Sequence, residues 1–146
     1  MRTRVVSLLL VVASLAGCGG ADESPLDTAL FQLSLHRQKW AAEGIRNYSF
    51  DYDFTAMVYS PPVHIEVRND LVTQVTDRNS GAVYTNTGAP TVDSLFARLE
   101  TMIRNPSADV TVTYDAQLGF PAKIENAPMI PDTGSTAAVS NFLQVP

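Results

Sequence analysis

The stretch Tyr48-Ser49-Phe50-Asp51-Tyr52-Asp53-Phe54 alternates an aromatic residue with a short polar one over seven positions without a miss. Successive side chains of a strand point to opposite faces, so one face here is aromatic and the other is serine and aspartate. That is the pattern of a strand with one face on a core and one towards water, which is the antiparallel kind of sheet.

Working outward, Val63-His64-Ile65-Glu66-Val67-Arg68 repeats the alternation after a Pro61-Pro62 loop, and Asn69-Asp70 reads as a tight turn into a third strand, residues 71–76. The register of this hairpin is open. A two-residue loop pairs Val67 with Val72 but sets Val75 opposite His64, a mismatch that a bulge or a longer turn would repair. Residues 77–90 read as loop, with room for one short strand near residues 82–84.

Before the aromatic strand, Ser24-Pro25-Leu26-Asp27 reads as a helix start: a Ser N-cap, Pro at the first helical position and an acid in the first turn. The helix is expected to reach Glu43, with Gly44 as its stop. Leu26, Leu30, Leu33 and Trp40, flanked by Ala29 and Ala41, form its apolar stripe; Arg37 lies on that stripe, its stem suited to packing and its head to solvent or an acid. Thr91 caps a second helix ending near Asn105-Pro106, in which Val92, Leu95, Phe96, Leu99, Met102 and Ile103 keep the helical spacing. Residues 109–114 and 120–126 then form a hairpin about a turn at 115–119. A Pro-punctuated stretch, 127–135, leads to a weaker last strand at about residues 136–145. The expected order is helix, three strands, helix, three strands: one α+β domain over residues 25–146, with antiparallel sheet or sheets and both helices on the apolar face. The halves share an order of elements but no residue-level repeat.

The chain opens differently. Arg2 and Arg4 precede an apolar run, residues 5–15, that as a helix would rise only about 16 Å, roughly half the thickness a spanning helix must cross. This is expected to be a signal peptide, residues 1–17. Leu15-Ala16-Gly17-Cys18 resembles the lipobox of bacterial lipoproteins, which implies a diacylglyceryl group on the Cys18 thiol and cleavage between Gly17 and Cys18. The alternative is an ordinary signal peptide with a chance cysteine. Against it, Cys18 is the only cysteine in 146 residues, and an exported chain rarely keeps an idle thiol. Two or three acyl or palmitate-type chains hold a protein to a membrane where one does so only marginally. Residues 18–24 would be the lipidated tether. Gly19, unlike an Asp after the Cys, favours the outer membrane, facing the periplasm, if the cell is Gram-negative. Loss of Arg2 and Arg4 takes the formal net charge from −5 to −7, an acidic balance that disfavours nucleic acid and anionic head groups.

Candidate chemistry is sparse. His36 and His64 are the only histidines; His36, beside Arg37 and Lys39, reads as part of a solvated helix face. No metal-ligand spacing, nucleophile elbow or phosphate loop is present, so no catalytic residue, cofactor or enzymatic activity is expected. The one constellation is on the first hairpin: with Asp53 opposite His64, the side chains of Asp51, Asp53, His64 and Glu66 would gather within reach of a metal. A register shifted by two pairs Asp51 with Arg68 in an ordinary cross-strand ion pair, and the plainer reading of all four is a wet sheet face. The Tyr48, Phe50, Tyr52 and Phe54 stripe is core in the plain reading and the lining of an apolar pocket in the other.

Arg37-x-x-Trp40, Ile45-x-x-Tyr48-Ser49-Phe50-x-Tyr52, the strands within residues 63–75, Thr91-Val92-Asp93-x-Leu95-Phe96 and Tyr114-Asp115-x-x-x-Gly119-Phe120-Pro121 together resemble a family of small bacterial lipoproteins known only as a domain of unknown function. The resemblance implies a secreted, lipid-anchored α+β domain without an established activity. One departure is Asp70, where that family commonly has Gly, so a distorted turn is expected. The functional expectation is a non-enzymatic envelope module that binds a protein, a peptide or a small apolar ligand. The alternatives are an envelope assembly or architectural lipoprotein, and a hydrolytic or metal-dependent enzyme using the Asp51/Asp53/His64/Glu66 face.

Overall fold

The computed structural model describes residues 24–84, 88–127 and 133–146; the expected signal peptide, Cys18 and the expected tether up to residue 23 lie outside them. Helix α1, Pro25–Glu43, begins where the Ser24 hydroxyl accepts the Asp27 N–H and stops at Gly44, whose φ of 63° is the left-handed value that suits glycine. Strands β1, Tyr48–Thr55, β2, Val63–Arg68, β3, Leu71–Asp77, and β4, Val83–Tyr84, follow. Helix α2, Val92–Ile103, is capped by the Thr91 hydroxyl on the Ser94 N–H. Strands β5, Val110–Tyr114, β6, Pro121–Asn126, and β7, Ser135–Gln144, complete the chain.

All seven strands form one antiparallel sheet in the order β4-β3-β2-β1-β7-β6-β5. The architecture is a mostly-sheet α+β fold with both helices on one face. The first half supplies four strands rather than three, because Val83–Tyr84 adds itself to β3. A two-residue strand is too short to carry an alternation. The last strand, the weakest in the sequence, sits inside the sheet between β1 and β6 and joins the two meanders.

Its weakness has a physical cause. Tyr52 faces Val139 and Phe54 faces Ala137, but the register slips by one between Ser49 and Asp51, so two β7 residues oppose Phe50. Asn141 takes up the bulge at φ 49°, a value Asn adopts more readily than most residues. The slip changes which residues face the core. Without it Leu143 would point inward; with it Phe142 does, while Leu143 is exposed. Phe142 stacks on Tyr48 at 5.3 Å and Phe120 at 4.9 Å and meets the Trp40 ring edge-on at 5.8 Å.

A second bulge resolves the first hairpin. The two-residue Asn69-Asp70 turn is kept, Val67 pairs with Val72, and the register then shifts so that Ile65 meets Val75 and His64 meets Thr76. Thr73 is the extra residue, its hydroxyl donating to the Glu66 carbonyl at 3.2 Å. The turn is not distorted by Asp70. Asn69 and Asp70 take φ of 50° and 66°, as a type I′ turn requires, and the Asp70 carboxylate accepts Arg46 Nε at 2.6 Å.

The core lies between sheet and helices: Leu33 and Trp40 from α1; Val92, Leu95, Phe96 and Leu99 from α2; Tyr48, Phe50, Ile65, Val67, Val75, Phe120 and Ile124 from beneath. The α1 stripe is shorter than expected, since Leu26 and Ala41 are exposed. His36 is not on a solvated face: its ring stacks on Tyr114 at 3.7 Å. Gly119, at φ 83°, brings the β5–β6 turn so close to α1 that a Cβ would stand 3.1 Å from the His36 carbonyl. Arg37 reaches Glu100 on α2 at 3.0 Å and lies over the Phe96 ring, so its stem packs and its head finds an acid.

Tyr48 ties the sheet to α2. Its hydroxyl accepts the Val92 N–H at 3.0 Å, one of the donors that the first turn of a helix leaves without a partner, and burial pushes the phenol up to about 12. Tyr48→Phe keeps the ring but strands a buried N–H, at a cost of about 1–3 kcal/mol. The urea midpoint should fall at unchanged slope; a wild-type midpoint would show that the hydroxyl does not hold the helix.

Candidate functional site

The four hairpin residues do not gather as the metal reading requires. Asp51, not Asp53, lies opposite His64, and Ser49 lies opposite Glu66. This register differs from both that the sequence left open, being shifted by two residues from the first and by four from the second, so that Asp53 falls beyond the end of the β1–β2 ladder. Asp53 pairs with Arg78 at 3.1 Å, and Glu66 has Arg68 at 3.9 Å as its nearest cation. Among the described residues no three His, Cys, Asp or Glu side chains converge as a metal site.

The sheet face away from the helices instead builds a lock around Asp51. His64 Nδ1 lies 2.7 Å from Oδ1, Asn141 Nδ2 donates to Oδ2 at 2.7 Å, and Arg78 Nε stands 3.3 Å from Oδ2. These groups come from β2, from the β7 bulge and from the residue after β3, so one carboxylate clamps four chain segments. They also cover it: Asp51 is only 8% exposed, and Ser49 beside it is equally hidden, although both sit on the face expected to be wet. Burial alone would raise the Asp51 carboxyl, but the Asn141 amide, the His64 ring and the Arg78 guanidinium outweigh it and hold the group below its ordinary 3.8. An ionised carboxylate can only accept, which places the His64 proton on Nδ1. Asp51 and His64 thus have the acid–imidazole geometry of a hydrolytic dyad, with the carboxylate's other oxygen taken by Asn141 and Arg78.

The helix-side face is different at its far end. Tyr48, Phe50 and Tyr52 are core, as the plain reading has it, while Tyr52, at the core's edge, and Phe54 also line an open cleft of about 500 Å³. Val63, Pro61, Tyr84, Pro90 and Arg98 complete its walls. The stripe is both things along one strand: Tyr52 is still buried at the edge of the core, and Phe54 is only half-buried. Burial raises the Tyr52 phenol, with Arg98 partly countering it. Arg98 also donates to the Gly88 carbonyl at 3.3 Å, and among the described residues no carboxylate forms an ion pair with it. An apolar cleft with one cation at its wall suits a small apolar ligand carrying an anionic group.

Sequence reasoning missed Arg78, Arg98 and Asn141. Asn141 left a trace, the break in β7 alternation between Val139 and Phe142; the two arginines left none, being single cations in a loop and on a helix. The residues expected to direct cleavage, lipidation and sorting, Gly17, Cys18 and Gly19, lie outside the described residues.

What fold and site define is a single-sheet α+β domain with a carboxylate-centred lock on one face and an apolar cleft on the other. The chain belongs to a family of unknown function, DUF6174, whose model matches residues 32–144. That span runs from the middle of α1 to the end of β7, so it includes both faces. Among curated proteins, none matches the chain.

The Asp51 lock has a signature in acid. A carboxyl held below its unfolded value stabilises the fold fully above that value and loses the contribution as pH falls through the folded one. Wild-type stability should therefore fall below about pH 4, and Asp51→Asn should be less stable at neutral pH and flatter below it. Parallel urea-midpoint curves for the two proteins between pH 2 and 7 would refute the assignment.

Proposed function

We propose that the protein is a lipid-anchored component of the bacterial cell envelope that works as a non-enzymatic binding module. Its ligand is a small apolar molecule with one anionic group, held between Tyr52, Phe54, Val63 and Tyr84 with Arg98 as counter-charge. The observation that carries this reading is the cleft: Tyr52 and Phe54 of β1 at its wall, beside a cation that pairs with no acid among the described residues. The lipobox-like Leu15-Ala16-Gly17-Cys18 and the solitary thiol support the anchor, and Gly19 favours the outer membrane of a Gram-negative cell. Cys18 is the lipid attachment residue, after cleavage of residues 1–17, and the membrane is the first partner. The lock around Asp51 is read as structural: the carboxylate oxygens are taken by Asn141, His64 and Arg78, which fixes the strands together.

Two measurements test the two halves separately. Labelled palmitate should enter the wild-type chain and not Cys18→Ser, and the variant should leave the membrane pellet for the soluble fraction; equal pelleting would remove the anchor. Dodecanoate, used as the probe, should raise the melting temperature of the purified protein, and Arg98→Ala should weaken its binding by about tenfold, the loss of one charged hydrogen bond. Dodecanol should bind both proteins alike. No shift with either probe would sink the cleft as a ligand site.

A further inference from the structure

The loop between β1 and β2 exposes three consecutive large apolar side chains: Met57 at 75%, Val58 at 79% and Tyr59 at 78%. Single exposed apolar residues are ordinary on a protein surface, but a contiguous group at a loop tip marks a surface that meets something. Residues 56–62, Ala-Met-Val-Tyr-Ser-Pro-Pro, carry no charge. The opposite end of the sheet is built otherwise, from the Asn69-Asp70 turn with Arg46 and from the turn that holds Asp115 and Gln117.

The position of this loop identifies its partner. The first turns of α1 lie beside Ala108 and Val110. Val110 pairs with Asn126, Asn126 with Ser135, and the neighbouring Thr136 with Thr55, the last residue of β1. The start of α1 and the apolar loop therefore stand at the same end of the sheet, with Thr55, Ala56 and Met57 sharing a shallow groove with Asn126, Ala127 and Ser135. Six peptide steps separate Ser24 from Cys18, a reach of at most about 20 Å. Along the sheet edge β1 and β5 are three strand spacings apart, about 14 Å. A lipid on Cys18 thus brings to the bilayer the very end of the domain that carries Met57, Val58 and Tyr59.

We propose that residues 56–62 dip Met57, Val58 and Tyr59 into the interfacial layer of the membrane that holds Cys18, a second contact that fixes how the domain stands; the proposal rests on the lipid-anchor reading above. An uncharged tip enters that layer without stripping water from an ion, and a tyrosine suits it, with an apolar ring and a polar hydroxyl. The contact is apolar, so salt does not release it; by screening the acidic surface from anionic head groups, salt can only favour it. Ser60 and Pro61, at the root of the loop, also line the cleft, so its mouth opens beside the lipid.

Because the lipid consumes the Cys18 thiol, Val58→Cys in the lipidated full chain offers one free thiol for an environment-sensitive nitrobenzoxadiazole label. In phosphatidylethanolamine–phosphatidylglycerol vesicles its emission should shift to the blue and be quenched by a shallow nitroxide lipid, in low and high salt alike. A label at Gln117→Cys, at the far end, should do neither. Protein that floats with the vesicles while the position-58 label stays unquenched overturns the loop contact and leaves the anchor standing. Protein that does not float overturns the anchor, and the loop's orientation with it. A position-58 label that is unquenched on vesicles but shifts to the blue when envelope proteins are added assigns the tip to a protein and likewise overturns the proposal.

Discussion

The seam between β1 and β7 is the constraint on which the rest of the molecule depends. β7 is the strand that makes two meanders into one sheet, and one extra residue in it settles the use of both faces. The bulge at Asn141 turns Phe142 inward, where it touches Tyr48, Phe120 and Trp40 and so binds the two halves of the core. The same bulge turns Asn141 outward, where its amide reaches Asp51. A strand that kept strict alternation would present Asn141 and Leu143 to the core and leave the Asp51 carboxylate short of a donor. A buried carboxylate without donors is costly enough to change its protonation or its position.

Around that seam β1 does three kinds of work along eight residues. Its first half is core: Tyr48 and Phe50 are roofed by both helices, and the Tyr48 hydroxyl reaches the open end of α2. Towards its end the cover thins, with Tyr52 still buried and Phe54 half so, and there the same aromatic alternation becomes the wall of a cleft. Its reverse face carries Asp51, whose partners close over it. A single periodic pattern thus yields a core, a binding surface and a polar lock, according to what each neighbouring element covers. The end of the sheet where β1 finishes gathers the cleft, the apolar loop and the start of α1, the point at which the chain arrives from Cys18.

Much of this was legible in the sequence. Local chemistry fixed the helix limits: Ser24, Pro25 and Gly44 for α1, Thr91 for α2, each acting within one turn of chain. Alternation fixed β1, β2, β5 and β6, and the mismatch of Val75 with His64 called for a bulge or a longer turn, of which the structure uses the bulge, at Thr73. What escaped is what needs distant partners. The Asp51 carboxylate meets side chains 13, 27 and 90 positions away, and no spacing rule reaches so far. Strand β4 is too short for a period, and His36 stacks on a ring from the other half of the chain.

The sequence by itself determined the elements, their caps, the antiparallel α+β class and the existence of an apolar face, because each follows from contacts within a turn or from the two-residue repeat of a strand. Only the tertiary structure decided that there is one sheet, that its weakest-looking strand is an interior one, that Asp51 forms a lock with His64, Asn141 and Arg78, and that the aromatic stripe ends in a cleft. Those are decided by register and by coverage, and register depends on bulges whose benefit appears only once both partners are in place.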